Sequence, residues 1–558
     1  MLTLSLYALE FTAIEFKGDT DLVVGDFSRG TLLDTLQIEY PPFYKFWRSD
    51  PIFNSADIDK FQETLRIYAD SLGYYRADIN SSIDGQTLVY TIIKNAPLLV
   101  DTIKIEDEFR AIIPLKEGEI FTTARFKASK SKIKRYLNES AHPKFLFGAK
   151  ATVDTDLYKA DAIFQVEKRE VCFIGETSIE GNGAIDKEII EEQIRYKEGE
   201  AFNIVEIEET HQNIYHLGIY GYILVEPLLE QNSTIVPIHI KLQEGKTKEI
   251  KLGAGFSTDD GIRGSAGWKN RNFFGNLKTM EVILRGSERG FELENRFTDP
   301  LVTLPLAGRV VFENSLKLSQ YSYESYDERK LEDIIGFSKD FWQIRHTLGL
   351  MFEYSLVDSK IVGDREDGNY LFNSWFYKGI IDKRDSLLDA KNGYLLSFYS
   401  EKSAPWLWSD MEYLKMIGEG RYLFTYSDFT TAVKAKVGTI SEDVPVFKRF
   451  FAGGAFSNRG YQFEKFGETD IKGNPLGGLT LIDSAIEERY ALTNDFSMVL
   501  FWDSTMLNNN IYDFSGELSH SYGMGMRYST PIGPIRIDVG RPKDVADYVF
   551  HFGIGQTF

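Results

Sequence analysis

The chain of 558 residues holds one cysteine, Cys172, which excludes an intramolecular disulfide framework and any site built from several thiolates. Histidine is scarce too: there are seven, scattered, none in the HExxH spacing of a zinc hydrolase. Lys and Arg number 63 against 83 Asp and Glu, and the net charge of −20 argues against nucleic acid as a partner, because phosphate binding needs basic patches. No run of roughly 18 or more apolar residues occurs, so no transmembrane helix is expected. That leaves membrane β-barrels open, since their short alternating strands escape hydropathy windows. No convergent Ser/His/Asp set points to an enzyme, and no cofactor motif is seen. The paired acids Asp259-Asp260 and Glu191-Glu192 read as solvated turn or helix faces.

The length predicts at least two domains. Met1 to Leu9 reads MLTLSLYAL, for which two readings stand: a signal-peptide remnant ending at Ala8, or a first β-strand. Up to about residue 247, helix and strand patterns mix. Ile58, Phe61, Leu65, Tyr68 and Leu72 step by three and four along one helix face, with capping residues in Asn54-Ser55-Ala56-Asp57 ahead of them. Similar faces carry Phe126, Ile133 and Leu137, then Ile204, Ile207, Ile214 and Leu217. These helices repeat. Gly73-Tyr74, Phe147-Gly148 and Gly221-Tyr222 follow them at intervals of 75 and 73 residues. Lys116-Glu117-Gly118-Glu119 before Phe121 returns as Lys197-Glu198-Gly199-Glu200 before Phe202. Each unit reads strand, helix, helix, strand, strand, which predicts an array of small α+β domains at 9–95, 96–168 and 169–247.

After Lys246 the period becomes two. Met280, Val282 and Leu284 flank Glu281 and Ile283, and Ile535, Ile537 and Val539 flank Arg536 and Asp538. Such alternation suits antiparallel strands, about 16 over residues 248–558. A soluble sandwich alternates as well, but here the charged face would line a wet lumen and the apolar face would meet lipid. Aromatic segments such as SAPWLWSDMEYL (403–414) would form interfacial girdles. The chain ends YVFHFGIGQTF, with Phe550, Phe552, Ile554 and Phe558 on one face, as a last barrel strand would. The fold class expected is thus α+β repeats followed by an all-β transmembrane barrel.

Between two strand-like segments lies RFFAGGAFSNRGY (449–461). It lacks the GxxxxGK[ST] pattern and a following helix, so it is not a phosphate loop. It resembles the sixth-extracellular-loop motif of the BamA/TamA superfamily of outer-membrane assembly factors, and the TamA branch most closely. GFSTDDG (255–261), SAIEERY (484–490), LFWDS (500–504) and GMGMRYSTPIGPIRID (523–538) resemble further barrel segments of that superfamily. The resemblance implies that the repeats are three POTRA domains in the periplasm, with the barrel in the bacterial outer membrane. It also implies that the loop folds into the lumen, where Gly453, Gly454 and Gly460 permit a tight path and Arg459-Gly460-Tyr461 meets the wall. The expected wall partners of Arg459 are Asp503 and Glu487, beside Phe501 and Trp502, with the choice between Glu487 and Glu488 open.

A lateral gate is expected where the first and last strands meet, at Gly253, Gly255, Phe552, Gly553, Gly555 and Phe558. Glycines there either weaken the seam or curve the barrel; both readings stand. The partners implied are a TamB-like protein anchored in the inner membrane, unfolded outer-membrane protein clients of autotransporter type, and the lipid bilayer. The alternative is phospholipid transport with the same partner, or a polypeptide-secretion pore of the two-partner type. A secretion pore should carry two POTRA units rather than three, and a passive porin, which needs no periplasmic domains, ranks low.

Overall fold

The computed structural model describes residues 10–21, 25–41, 49–230, 232–363, 366–531 and 533–554. The signal-peptide remnant expected at 1–8, and Gly555 and Phe558 of the expected gate, lie outside the described residues. The chain divides into two compact units, one of small α/β sheets and one containing the barrel, with Asn182–Ile190 and Leu217–Tyr222 counted in the latter.

Three three-stranded sheets follow one another along the chain, each with its last strand in the centre. In the first, Thr87–Ile93 pairs parallel with Ala13–Gly18 and antiparallel with Asp78–Asp84. In the second, Lys159–Glu167 pairs parallel with Leu99–Lys104 and antiparallel with Leu146–Asp154. In the third, Ile235–Glu244 lies between Phe173–Glu180, its parallel partner, and Tyr220–Pro227. Each sheet has a short and a long helix between its first two strands: Arg29–Thr35 and Ser55–Ser71, Asp107–Arg110 and Thr123–Glu139, Lys187–Glu191 and Ile204–His216.

The long helices form because their apolar residues share one face and their starts are capped. Asn54 accepts from Ala56 N–H and Asp57 from Asn54 N–H, each at 2.9 Å, a reciprocal capping box. The buried face of the first long helix, Phe61, Leu65 and Ala69, packs with Leu32, Leu88 and Ile92. Ile133 and Leu137 of the second do the same with Val100, Ala162 and Phe164. Such faces, rather than helix propensity, supply most of the helical stability.

The second unit contains a sixteen-stranded antiparallel sheet running from Lys248–Ser257 to Val549–Ile554, each strand paired with the next in sequence, as a near-closed barrel. Alternation separates the faces. Leu252, Ile262, Leu348, Leu500 and Phe550 are exposed on the outside, whereas Glu294, Glu332, Glu353, Glu401 and Lys434 are buried within. Outward apolar and inward charged side chains are the pattern of a barrel in lipid. The 403–414 segment splits between the two. Trp406 and Trp408 are exposed beside a 3-10 turn at Pro405–Leu407, while Tyr413 turns inward and donates its hydroxyl to Glu401.

Candidate functional site

The longest connection in the barrel, residues 441–479, joins Phe429–Ile440 to Thr480–Ala491 and folds back against inward-facing side chains. Its base is closed by reciprocal backbone hydrogen bonds between Phe450 and Gly478, at 2.8 and 2.9 Å. Arg449 reinforces the base through Val444 O (2.9 Å) and Asp443 (3.0 Å). Lys448 reaches across to Glu353 at 2.6 Å. Gly453 and Gly454 both hold positive φ, 97° and 100°, which L side chains adopt with strain. Gly454 N–H then donates to Tyr461 O at 3.0 Å, closing the tight arch that presents Arg459.

Arg459 is fully buried. Its Nε and its own backbone N–H both donate to Asp503 Oδ2 at 2.9 Å, Nη2 donates to Asp503 Oδ1 at 2.8 Å, and Nη1 donates to Glu487 Oε2 at 2.6 Å. The guanidinium also lies over the Phe501 ring, 3.5 Å from its centroid. Asp503 and Phe501 share the inward parity of Phe496–Asn508, and Glu487 that of Thr480–Ala491. Glu488, one residue out of phase, accepts from Thr431 instead (2.6 Å), and Trp502 is exposed on the outer face. A planar fork matches a carboxylate bidentately, and in this dry setting the pairs are strong only because every partner is bonded.

More charges join than the sequence analysis identified. Arg489 Nε donates to Glu487 Oε1 at 2.8 Å, and Arg527 donates to both oxygens of Asp538 at 2.6 and 3.2 Å. Arg536 lies over the Phe456 ring at 4.2 Å. The signal was present for Arg536 and Asp538, which stand on the charged face of an alternating strand, but alternation does not say which residue faces which. Gly460 sits so close to the wall that a Cβ there would lie 2.1 Å from Ser521 Oγ.

One expectation needs correction. Asp259, read as a solvated turn residue, is buried, and its Oδ2 accepts Ala455 N–H at 3.0 Å. The loop folds onto the first hairpin turn and removes that carboxylate from water. Sequence alternation is silent on this contact because it joins segments 196 positions apart.

The expected gate residues lie along the first and last strands. Gly253 and Gly255 belong to an unbroken ladder from Lys248–Asn270 to Ser257–Gly261, without a bulge. On the lumen side they leave room for Ser265 and Arg263, whose side-chain atoms would stand 2.6 and 3.2 Å from added β-carbons. Gly553 faces Ser257 and Arg536, 3.7 Å from an added Cβ. Outside, the rings of Phe552 and Phe256 meet at 5.9 Å.

Residues 272–558 match the model of the Omp85 superfamily domain, and residues 173–245 match that of POTRA, the surface antigen variable number repeat. The outer membrane protein assembly factor BamA of Nitratidesulfovibrio vulgaris is 24% identical over 71% of this chain and 53% of its own length. The chain thus spans about half the length of that relative. BamA of Neisseria meningitidis serogroup B is 21% identical over 98% of this chain and 78% of its own. Among solved structures, BamA from Haemophilus ducreyi lacking POTRA domains 1–3 has the same fold, with a TM-score of 0.68 at 16% identity, over 82% of this chain and 98% of that one. With its barrel region matched from end to end of the described strands after the second, the chain belongs to the Omp85 superfamily of outer-membrane β-barrels with periplasmic POTRA repeats.

Proposed function

We propose that this chain assembles β-barrel proteins into the outer membrane through the seam between its first and last strands. The observation that carries this reading is the seam itself. Neighbouring strands elsewhere in the barrel share ladders of six to sixteen residue pairs. Among the described residues, Lys248–Ser257 and Val549–Ile554 share no ladder. They meet near one end through Thr258 N–H to Phe552 O (3.1 Å) and Phe552 N–H to Thr258 Oγ1 (3.3 Å). An unpaired backbone group in lipid costs several kcal/mol, so such an edge is a template for an incoming strand.

Within the superfamily the reading is of TamA type, supported by the likeness of the 449–461 motif and by three successive α/β units. Residues 9–95, 96–168 and 169–247 would be three POTRA domains ahead of a barrel at 248–558. Their open sheet edges suit β-augmentation by clients of autotransporter type or by a TamB-like partner anchored in the inner membrane. The test locks the seam. In a Cys172→Ser background, Phe256→Cys and Phe552→Cys are paired, because their rings already meet, and the full chain is reconstituted in liposomes. Insertion of an unfolded barrel client should stop on oxidation and return on reduction. Insertion unchanged with the crosslink complete would overturn the gate and leave phospholipid transfer or a secretion pore as the better reading.

A further inference from the structure

We propose that Asp259 and His551 fasten the lumenal loop across the seam, so that loop release and seam opening are one event. The inference rests on the seam being the working edge and adds the device that holds it shut. Asp259 lies in the turn that ends the first strand, and His551 lies on the last strand; both are buried. Their side chains approach each other inside the barrel, Asp259 Oδ1 to His551 Nδ1 at 3.7 Å. Each also grips the loop. Asp259 Oδ2 accepts Ala455 N–H at 3.0 Å, and His551 Nε2 lies 3.0 Å from Arg459 O. A carbonyl can only accept, so Nε2 carries the proton of that bond.

The five residues Ala455–Arg459 therefore span from the first hairpin to the last strand, and the far end of that span is the side chain anchored in Asp503 and Glu487. The seam strands cannot separate without breaking Asp259–Ala455, breaking His551–Arg459, or drawing the loop off the wall. Among the described residues the two strands share no ladder, and these lumenal bonds add to the Thr258–Phe552 contacts in holding them together. Asp259 and His551 are positioning residues, acting through the loop.

The test measures seam width in the full chain. Nitroxide labels at Leu252→Cys and Phe550→Cys, both exposed on the outer face, report the distance by pulsed electron paramagnetic resonance in liposomes, in a Cys172→Ser background. Asp259→Ala and His551→Ala should each raise the wide-seam population on the order of tenfold, the effect of losing one hydrogen bond to a charged or well-aligned group. His551→Gln, which keeps an N–H donor, should restore the narrow seam where His551→Leu does not. Arg459→Ala should widen the seam in the parent but add nothing once Asp259 and His551 are both alanine. An unchanged distance distribution in the alanine variants, or an Arg459 effect that multiplies with theirs, would overturn the latch. If Asp259→Ala does not give a heat-modifiable folded band, Asp259→Asn, which keeps an acceptor but drops the charge, carries the measurement and should fall between parent and His551→Ala. The two readings fail separately. Client insertion that survives the seam disulfide sinks the gate, whereas a seam that stays narrow in these variants sinks only the latch.

Discussion

Gly540, on the penultimate strand, is the slot through which the main chain of Arg459 passes: a β-carbon there would lie 2.2 Å from Arg459 O. The loop is seated by backbone against backbone, with the guanidinium holding it down from the other side. Gly540→Ala should therefore destabilise the barrel by about 1–3 kcal/mol, the usual effect of overpacking a tight contact. The urea midpoint in lipid vesicles should fall, and protease should reach residues 441–479 sooner. Gly286→Ala, where an added β-carbon meets nothing within 4 Å, should leave both unchanged. Equal behaviour of the two variants would show that the seat is loose.

Arg459→Ala strips Asp503 of the two guanidinium donors, Nε and Nη2, while leaving it buried. Removing one partner of a buried pair costs about 3–5 kcal/mol, because the other charge stays out of water. The backbone N–H bond to Asp503 and the Arg489 contact to Glu487 survive, so the lower end of that range is expected. Arg459→Lys should recover less than half, since an ammonium offers no fork to satisfy Asp503 and Glu487 together. Equilibrium unfolding of the three proteins in the same vesicles decides this.

Cys172 is buried, and burial pushes its thiol pKa up. The thiolate is the reactive form, so a raised pKa lowers its fraction near neutral pH, and burial keeps the reagent from what remains. Maleimide at pH 7.5 should leave the folded chain unlabelled by mass spectrometry and label it in urea. Rapid labelling of the folded chain would mean that this segment opens on its own.

Asn54→Ala removes the acceptor for Ala56 N–H and one half of the capping box. The expected loss is about 1 kcal/mol, which is roughly a fivefold faster exchange of amides in the first turn of Ser55–Ser71. Hydrogen exchange of the full chain, digested afterwards, gives the number, and exchange confined to later turns would contradict it.

How much of this was legible from sequence differs from element to element. The faces of the long helices could be read directly, because 3.6-residue periodicity brings Phe61 and Leu65 together without any knowledge of the rest of the chain. Strand alternation placed Arg536 and Asp538 on one charged face for the same local reason, whereas Asp503 and Glu487 were expected through the family resemblance, with Glu488 left open until the strand parity was seen. The same rule explains two departures. Tyr413 sits in an aromatic segment that composition assigns to the interface, yet its parity turns it to Glu401, and Trp502 lies beside Asp503 in sequence but on the opposite face. Asp259 was misread because a turn flanked by polar residues is solvated unless something folds over it, and what folds over it comes from residue 455.

By itself, then, the sequence determined periodicity, and with it three helix-and-sheet units, a barrel with a charged lumen, and a glycine-rich loop bearing an arginine. Period-two and period-3.6 patterns are local, so neighbouring residues suffice to specify them. Only the tertiary structure decided that Arg489, Arg527 and Asp538 share one buried network with Arg459, and that Asp259 and His551 face each other across the seam. Those contacts depend on strand register and on curling sixteen strands until the first meets the last, and a residue's parity carries no information about either.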